Sequence, residues 1–94
     1  MVIGVCTIEL GLPTVHSLKE KRQIIQSLMQ RVRNEFNVSV CEADHHDAWQ
    51  STVLAIACVA SNASYAHGLL TKAMQRIERI RLDVVMVDFQ IELF

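Results

Sequence analysis

Apolar residues along these 94 positions switch between two spacings, and that switching restricts the fold more than any motif does. A spacing of two puts side chains on opposite faces of a strand; a spacing near 3.6 lines them up along one stripe of a helix. From Val2 to Leu10 the spacing is two, with Cys6, Ile8 and Leu10 on one face and Val5, Thr7 and Glu9 on the other. Gly11-Leu12-Pro13 ends that strand. Ser17-Leu18-Lys19-Glu20 then has the form of a capping box, in which the Ser hydroxyl and the Glu carboxylate satisfy free N–H groups at a helix start. Ile24, Ile25, Leu28 and Val32 follow at helical spacing, and the helix ends near Phe36.

Asn37 to Ala43 reads as a second strand with Val38 and Val40 inward, and Asp44-His45-His46-Asp47 as a polar turn. Trp49 to Ala60 is almost wholly apolar, which predicts a central strand covered on both faces. Ser61-Asn62-Ala63-Ser64 offers several N-caps for a second helix carrying Ala66, Leu69, Leu70, Ala73, Ile77 and Ile80 on one side. The last strand, Val84 to Leu93, alternates: Val85, Val87, Phe89, Ile91 and Leu93 face one way, and Met86, Asp88, Gln90 and Glu92 the other. The order βαββαβ predicts one α+β domain over residues 1–94, a ferredoxin-like sandwich. Its four-stranded antiparallel sheet has the order 4-1-3-2, with both helices on one face.

An apolar fraction of 51% supplies a core. No apolar run reaches the roughly 18 residues of a membrane span. The opening MVIGVCTIEL lacks a basic leader and a cleavage site, and reads as a strand rather than a signal peptide. Cys6, Cys41 and Cys58 are odd in number, lie in predicted strands and form no C-x-x-C. They read as reduced, buried thiols in a cytoplasmic protein; a reactive thiol is the weaker reading.

Charge is segregated. All nine Lys and Arg fall in the two predicted helices, where only Glu20, Glu35 and Glu78 oppose them. Glu9, Glu42, Asp44, Asp47, Asp83, Asp88 and Glu92 fall in strands and loops without a single base. The net charge of -1 therefore conceals a basic layer and an acidic one, and a basic face attracts anionic partners.

VIGVCTIEL at the start, Ser17-Leu18-Lys19-Glu20-Lys21-Arg22, Phe36-Asn37-Val38-Ser39-Val40 and Asp47-Ala48-Trp49-Gln50 together resemble the small bacterial YlxP-like family. The resemblance covers essentially the whole chain. It implies a ferredoxin-like fold and, because genes of that family often lie beside genes for translation and ribosome maturation, a translation-linked role. The family has no established biochemical activity, so the resemblance assigns no catalytic residue here.

The predicted topology gathers the start of helix one, the turn between strands two and three, and the end of helix two at one end of the sandwich. His16, Asp44, His45, His46 and Asp47 form a candidate polar site there, beside Ser17, Lys19, Lys21 and Arg22, with Arg79 and Arg81 arriving from the second helix. Three cations in the first turns of a helix oppose its dipole, and such a start can hold an anion; solvated charges offset by Glu20 are the competing reading. Lys21 lies on the apolar stripe, so its stem covers the core edge and its ammonium emerges near Asp44 or Asp47. A structural Lys fits this better than a catalytic one, because acids are close. Adjacent His45 and His46 point to opposite sides of extended backbone and chelate poorly, and no spaced ligand motif is present, so no metal or cofactor is expected. Residues Gly11 to His16 lack the Arg of an acylphosphatase-like phosphate loop and the Cys pair of a metallochaperone. The exposed sheet face lacks the aromatic pair that an RNA-recognition motif uses.

These features point to a non-enzymatic binding protein that contacts ribosomal or other structured RNA through phosphates, using Lys19, Lys21, Arg22, Arg33, Lys72, Arg76 and Arg79. Ordinary solubilising charge is an equally simple explanation of those residues. The second reading is a homo-oligomeric protein–protein module, a homodimer or higher even oligomer. It would be built on a sheet face of Ile3, Val5, Leu54, Ile56, Cys58, Val84 and Met86, or on the adjacent fourth-strand edge. The third is a small enzyme or an anion- or metal-binding protein at the Lys21/His45/Asp47 end. A membrane partner is not expected.

Overall fold

The computed structural model describes residues 1–94. Its elements are β1 (Val2–Gly11), α1 (Leu18–Glu35), β2 (Ser39–Asp44), β3 (Ser51–Ala60), α2 (Ala63–Ile80) and β4 (Val85–Leu93). They form one antiparallel sheet in the order β2-β3-β1-β4 with two helices, the ferredoxin-like arrangement. Both helices start where the caps predict. Ser17 Oγ accepts the Glu20 N–H at 3.1 Å, and Asn62 Oδ1 accepts the Tyr65 N–H at 2.8 Å.

The core lies between the sheet and the helices. Ile25, Leu28 and Val32 of α1, and Ala66, Leu70, Ala73 and Ile77 of α2, cover Cys6, Ile8, Leu10, Leu54 and Ile56. Each fully buried Leu, Ile or Val contributes roughly 1.5–3 kcal/mol relative to exposure. Gly4 lets α2 approach: a Cβ there would stand 2.8 Å from Leu70 Cδ1 and 3.4 Å from the Ala66 Cβ.

Register corrects the expected sheet face. Cys6 pairs with Ile56, and Ile8 with Leu54. Directly opposed residues share a face, so Leu54, Ile56 and Cys58 lie under the helices with Cys6 and Ile8, and they are buried. Val84 is buried as well, and Met86 opposes Leu10 and packs against the core. Of the residues expected on the open face, Ile3 and Val5 are there. Their neighbours are Thr7, Glu9, Val53, Ala55, Ala57 and Val59.

Two strands also depart from the sequence reading. β3 starts at Ser51, leaving Trp49 in the preceding turn and exposed. It is buried on one face only, since nothing covers Val53, Ala55, Ala57 and Val59. In β4 a register shift opposite Glu9/Leu10 interrupts the alternation. Phe89, Ile91 and Leu93 face the helix side, opposite Ile8, Cys6 and Gly4, whereas Val85 opposes Gly11 on the open side. Cys41, expected to be buried, is exposed, because it opposes Ala55 on the uncovered face.

Candidate functional site

Three segments meet at the end of the sandwich where the candidate polar site was expected, and Lys21 ties them together. The helical stripe of α1 carries its side chain inward, leaving it only 1% exposed. The ammonium donates to the backbone carbonyl of His45, approaches that of His46 at 3.5 Å, and pairs with Glu42 Oε2 at 2.9 Å. Thr52, also fully buried, donates its hydroxyl to the same carboxylate oxygen at 2.6 Å. The partner of Lys21 is thus Glu42 on β2, not Asp44 or Asp47. Burial pushes the Glu42 carboxyl up, but the hydrogen bonds from Lys21 and Thr52 and the nearby charges of Lys21 and His46 outweigh it, and it lies below the usual glutamate value.

The turn between β2 and β3 is held by its own side chains. His45 has φ 60, and its N–H is accepted by Asp44 Oδ1 at 2.7 Å. The His45 ring meets Ser51 Oγ at 2.8 Å, and the His46 ring donates Nε2–H to the Glu42 carbonyl at 3.0 Å. Gln50 braces the loop after β1, donating to the carbonyls of Pro13 at 3.2 Å and Val15 at 3.1 Å. Glu42, Thr52 and Gln50 are not among the site residues expected from the sequence. The inward phase of Glu42 and Thr52 on their strands was the available signal.

His16 and Asp47 are exposed, and their side chains join this network through no hydrogen bond or salt bridge. No group of three His, Cys, Asp or Glu residues stands close enough to hold a metal ion. Lys21 donates its protons to internal acceptors, so it offers an external anion nothing, contrary to its place among the expected RNA contacts. The arrangement is a strut between helix and turn.

The other bases divide into two sets. Arg76 grips Glu35 with three hydrogen bonds of 2.9–3.2 Å, and this guanidinium holds the Glu35 carboxyl below its usual range. Arg81 lies just beyond α2, pairing with Asp83 at 2.8 Å and lowering that carboxyl in the same way. Arg33 Nη2 donates to the Val40 carbonyl at 2.9 Å. Lys19, Arg22, Arg31, Lys72 and Arg79 are exposed and form no ion pair. Of the residues expected to contact RNA, Lys19, Arg22, Lys72 and Arg79 are exposed and outside any salt bridge, Lys21 is buried, and Arg33 and Arg76 are engaged within the chain.

Shallow grooves mark the surface elsewhere. One of about 300 Å³ runs between Ile3, Val38, Ala57 and Val59; another of about 220 Å³ lies beside the opposed carboxylates of Glu9 and Asp88. No helix is long and apolar enough to cross a membrane.

Comparison with known proteins places residues 3–91 within a family described as a protein of unknown function, DUF503. The chain is also 41% identical over 61 residues to a Bacillus subtilis (strain 168) protein described as uncharacterized protein YlxP. That match covers 65% of this chain and 66% of the relative, just under two thirds of its length. The chain belongs to the DUF503 family.

Proposed function

We propose that this DUF503 member is a non-catalytic binding protein that docks its helical layer on the phosphates of structured RNA, ribosomal RNA first among them. The observation that carries this reading is the set of unpaired cations. Lys19, Arg22 and Arg31 on α1, and Lys72 and Arg79 on α2, are exposed and form no salt bridge. The opposite face carries Glu9, Asp88 and Glu92 without a base and would repel RNA, so approach is oriented toward the helices. The open faces of β1 and β3 carry no aromatic residue on which to stack a base, which favours phosphate contact over sequence readout. The translation-linked expectation of the family resemblance selects ribosomal RNA as the first ligand to test.

The test is a filter-binding titration with ribosomal RNA fragments across a salt series. Changing Lys19, Arg22, Lys72 and Arg79 together to Gln should weaken binding across all sequences. It should also lower the slope of log affinity against log salt by about 3, at 0.7–0.9 per phosphate contact. An affinity indifferent to the four changes refutes the helical surface, and no affinity at low salt refutes the reading itself.

A further inference from the structure

The chain treats the two edges of its sheet differently. Ile3 and Phe94 exchange both backbone hydrogen bonds, at 3.0 and 2.8 Å. Bonded and non-bonded pairs alternate along antiparallel strands, so this pair fixes which backbone groups face outward: those of Val40 and Glu42 on β2, and those of Phe89, Ile91 and Leu93 on β4. On β2 both outward carbonyls are occupied, Val40 by the Arg33 guanidinium at 2.9 Å and Glu42 by the His46 ring at 3.0 Å. A register shift between Glu42 and Asp44 then disrupts the strand. Devices of this kind keep a sheet edge from recruiting another strand. On β4 one outward group is engaged, the Phe89 N–H, which donates to Asp88 Oδ1 at 2.8 Å. Its flanking side chains are apolar, with Phe89 50% and Leu93 40% exposed.

We propose that this edge is the docking site for a second copy of the chain, joined by antiparallel β4–β4 pairing about a two-fold axis at Ile91. A second copy fits this edge because β4 can oppose itself with apolar against apolar and no acid against acid, and charge and strand phase together select that register. Outward groups must meet outward groups, so the axis passes through a residue and not between two, and the central positions of the edge are Phe89, Gln90 and Ile91. An axis at Gln90 sets Asp88 against Glu92 of the partner subunit twice, and like charges directly opposed are unfavourable. An axis at Phe89 carries the pairing into the register shift near Val87. The axis at Ile91 avoids both. It sets Phe89 against Leu93 of the partner subunit, Gln90 against Glu92 of the partner subunit, and forms about four backbone hydrogen bonds without drawing on the Phe89 N–H, with two more when that N–H exchanges Asp88 for the carbonyl of the opposing strand. The two sheets become one, with both helical layers on the same side. The pairing stands on edge geometry and is independent of RNA binding, although a dimer of this form would present the cations of two subunits on one surface.

Sedimentation equilibrium of the full chain at high micromolar concentration tests the proposal, with circular dichroism to verify folding. The wild type should be a dimer. Phe89→Lys with Leu93→Lys opposes lysines across the interface and should raise the dimer dissociation constant about a hundredfold. Phe89→Lys with Leu93→Glu opposes Lys to Glu and should restore the dimer. A monomeric wild type overturns the proposal, as does a dimer indifferent to the double Lys change. Failure of the Lys/Glu variant to recover overturns the register. If the double Lys variant does not fold, Phe89→Lys alone, at a half-exposed position, should still weaken the dimer, and no weakening overturns the site.

Discussion

Replacing Lys21 by Met keeps the stem of the side chain and removes its ammonium. The loss falls on three acceptors: Glu42 Oε2 at 2.9 Å and the carbonyls of His45 and His46. Breaking a buried pair by removing one partner typically costs about 3–5 kcal/mol, because the remaining charge stays buried without compensation. Glu42 is 15% exposed and retains its bond from Thr52, so water offsets part of that penalty. We expect a loss of about 2–4 kcal/mol. For a domain of this size each kcal/mol moves Tm by about 4–8 °C. Lys21→Met with Glu42→Leu removes both charges and should be less destabilised than Lys21→Met alone. Urea and thermal unfolding followed by far-ultraviolet circular dichroism measure all three proteins. A single variant within about 0.5 kcal/mol of wild type, or a double variant less stable than Lys21→Met alone, would refute the strut.

The same pair sets a pH dependence. The folded Glu42 pKa lies below its ordinary value of 4.5, so its contribution is complete above about 4.5 and is lost as pH falls through the depressed folded value; the stability gap between wild type and Glu42→Gln should close in acid, and a gap constant down to pH 2 would contradict this. Gly4→Ala should cost about 1–3 kcal/mol in urea unfolding, because its Cβ would stand 2.8 Å from Leu70 Cδ1 and Leu70 is fully buried. Gly68→Ala should have the opposite sign, a gain of about 0.5–1 kcal/mol, since Gly68 lies inside α2 and its Cβ would meet nothing within 4 Å. A thiol reagent should modify Cys41 quickly and reach Cys6 and Cys58 only on unfolding, since burial pushes the Cys6 thiol up to about 11; fast modification of all three would contradict their placement.

What the sequence reveals here is what local spacing determines. The stripes of α1 and α2, the Ser17 and Asn62 caps and the order of elements depend on neighbours a few residues apart, and they are found where the sequence puts them. The burial of Lys21 follows from its phase on the α1 stripe. Register joins segments some fifty residues apart, as in Cys6 with Ile56, and no local pattern specifies it. An all-apolar strand has no polar face to mark its outside, so Leu54 and Ile56 are assigned to the open face on sequence alone, whereas pairing puts them in the core. The register shift near Val87 changes the phase within β4, and the strand's own alternation gives no sign of it. At the candidate site, the sequence identifies the end of the sandwich but not the partner of Lys21, because the hairpin register decides whether Glu42, Asp44 or Asp47 turns inward.

The most direct test of the helical-layer reading is the salt dependence of ribosomal RNA binding by the wild type and by the variant with Lys19, Arg22, Lys72 and Arg79 changed to Gln. Binding that weakens steeply with salt in the wild type, and has a slope lower by about 3 in the variant, is the expected result. Equal slopes and equal affinities for the two proteins would contradict it.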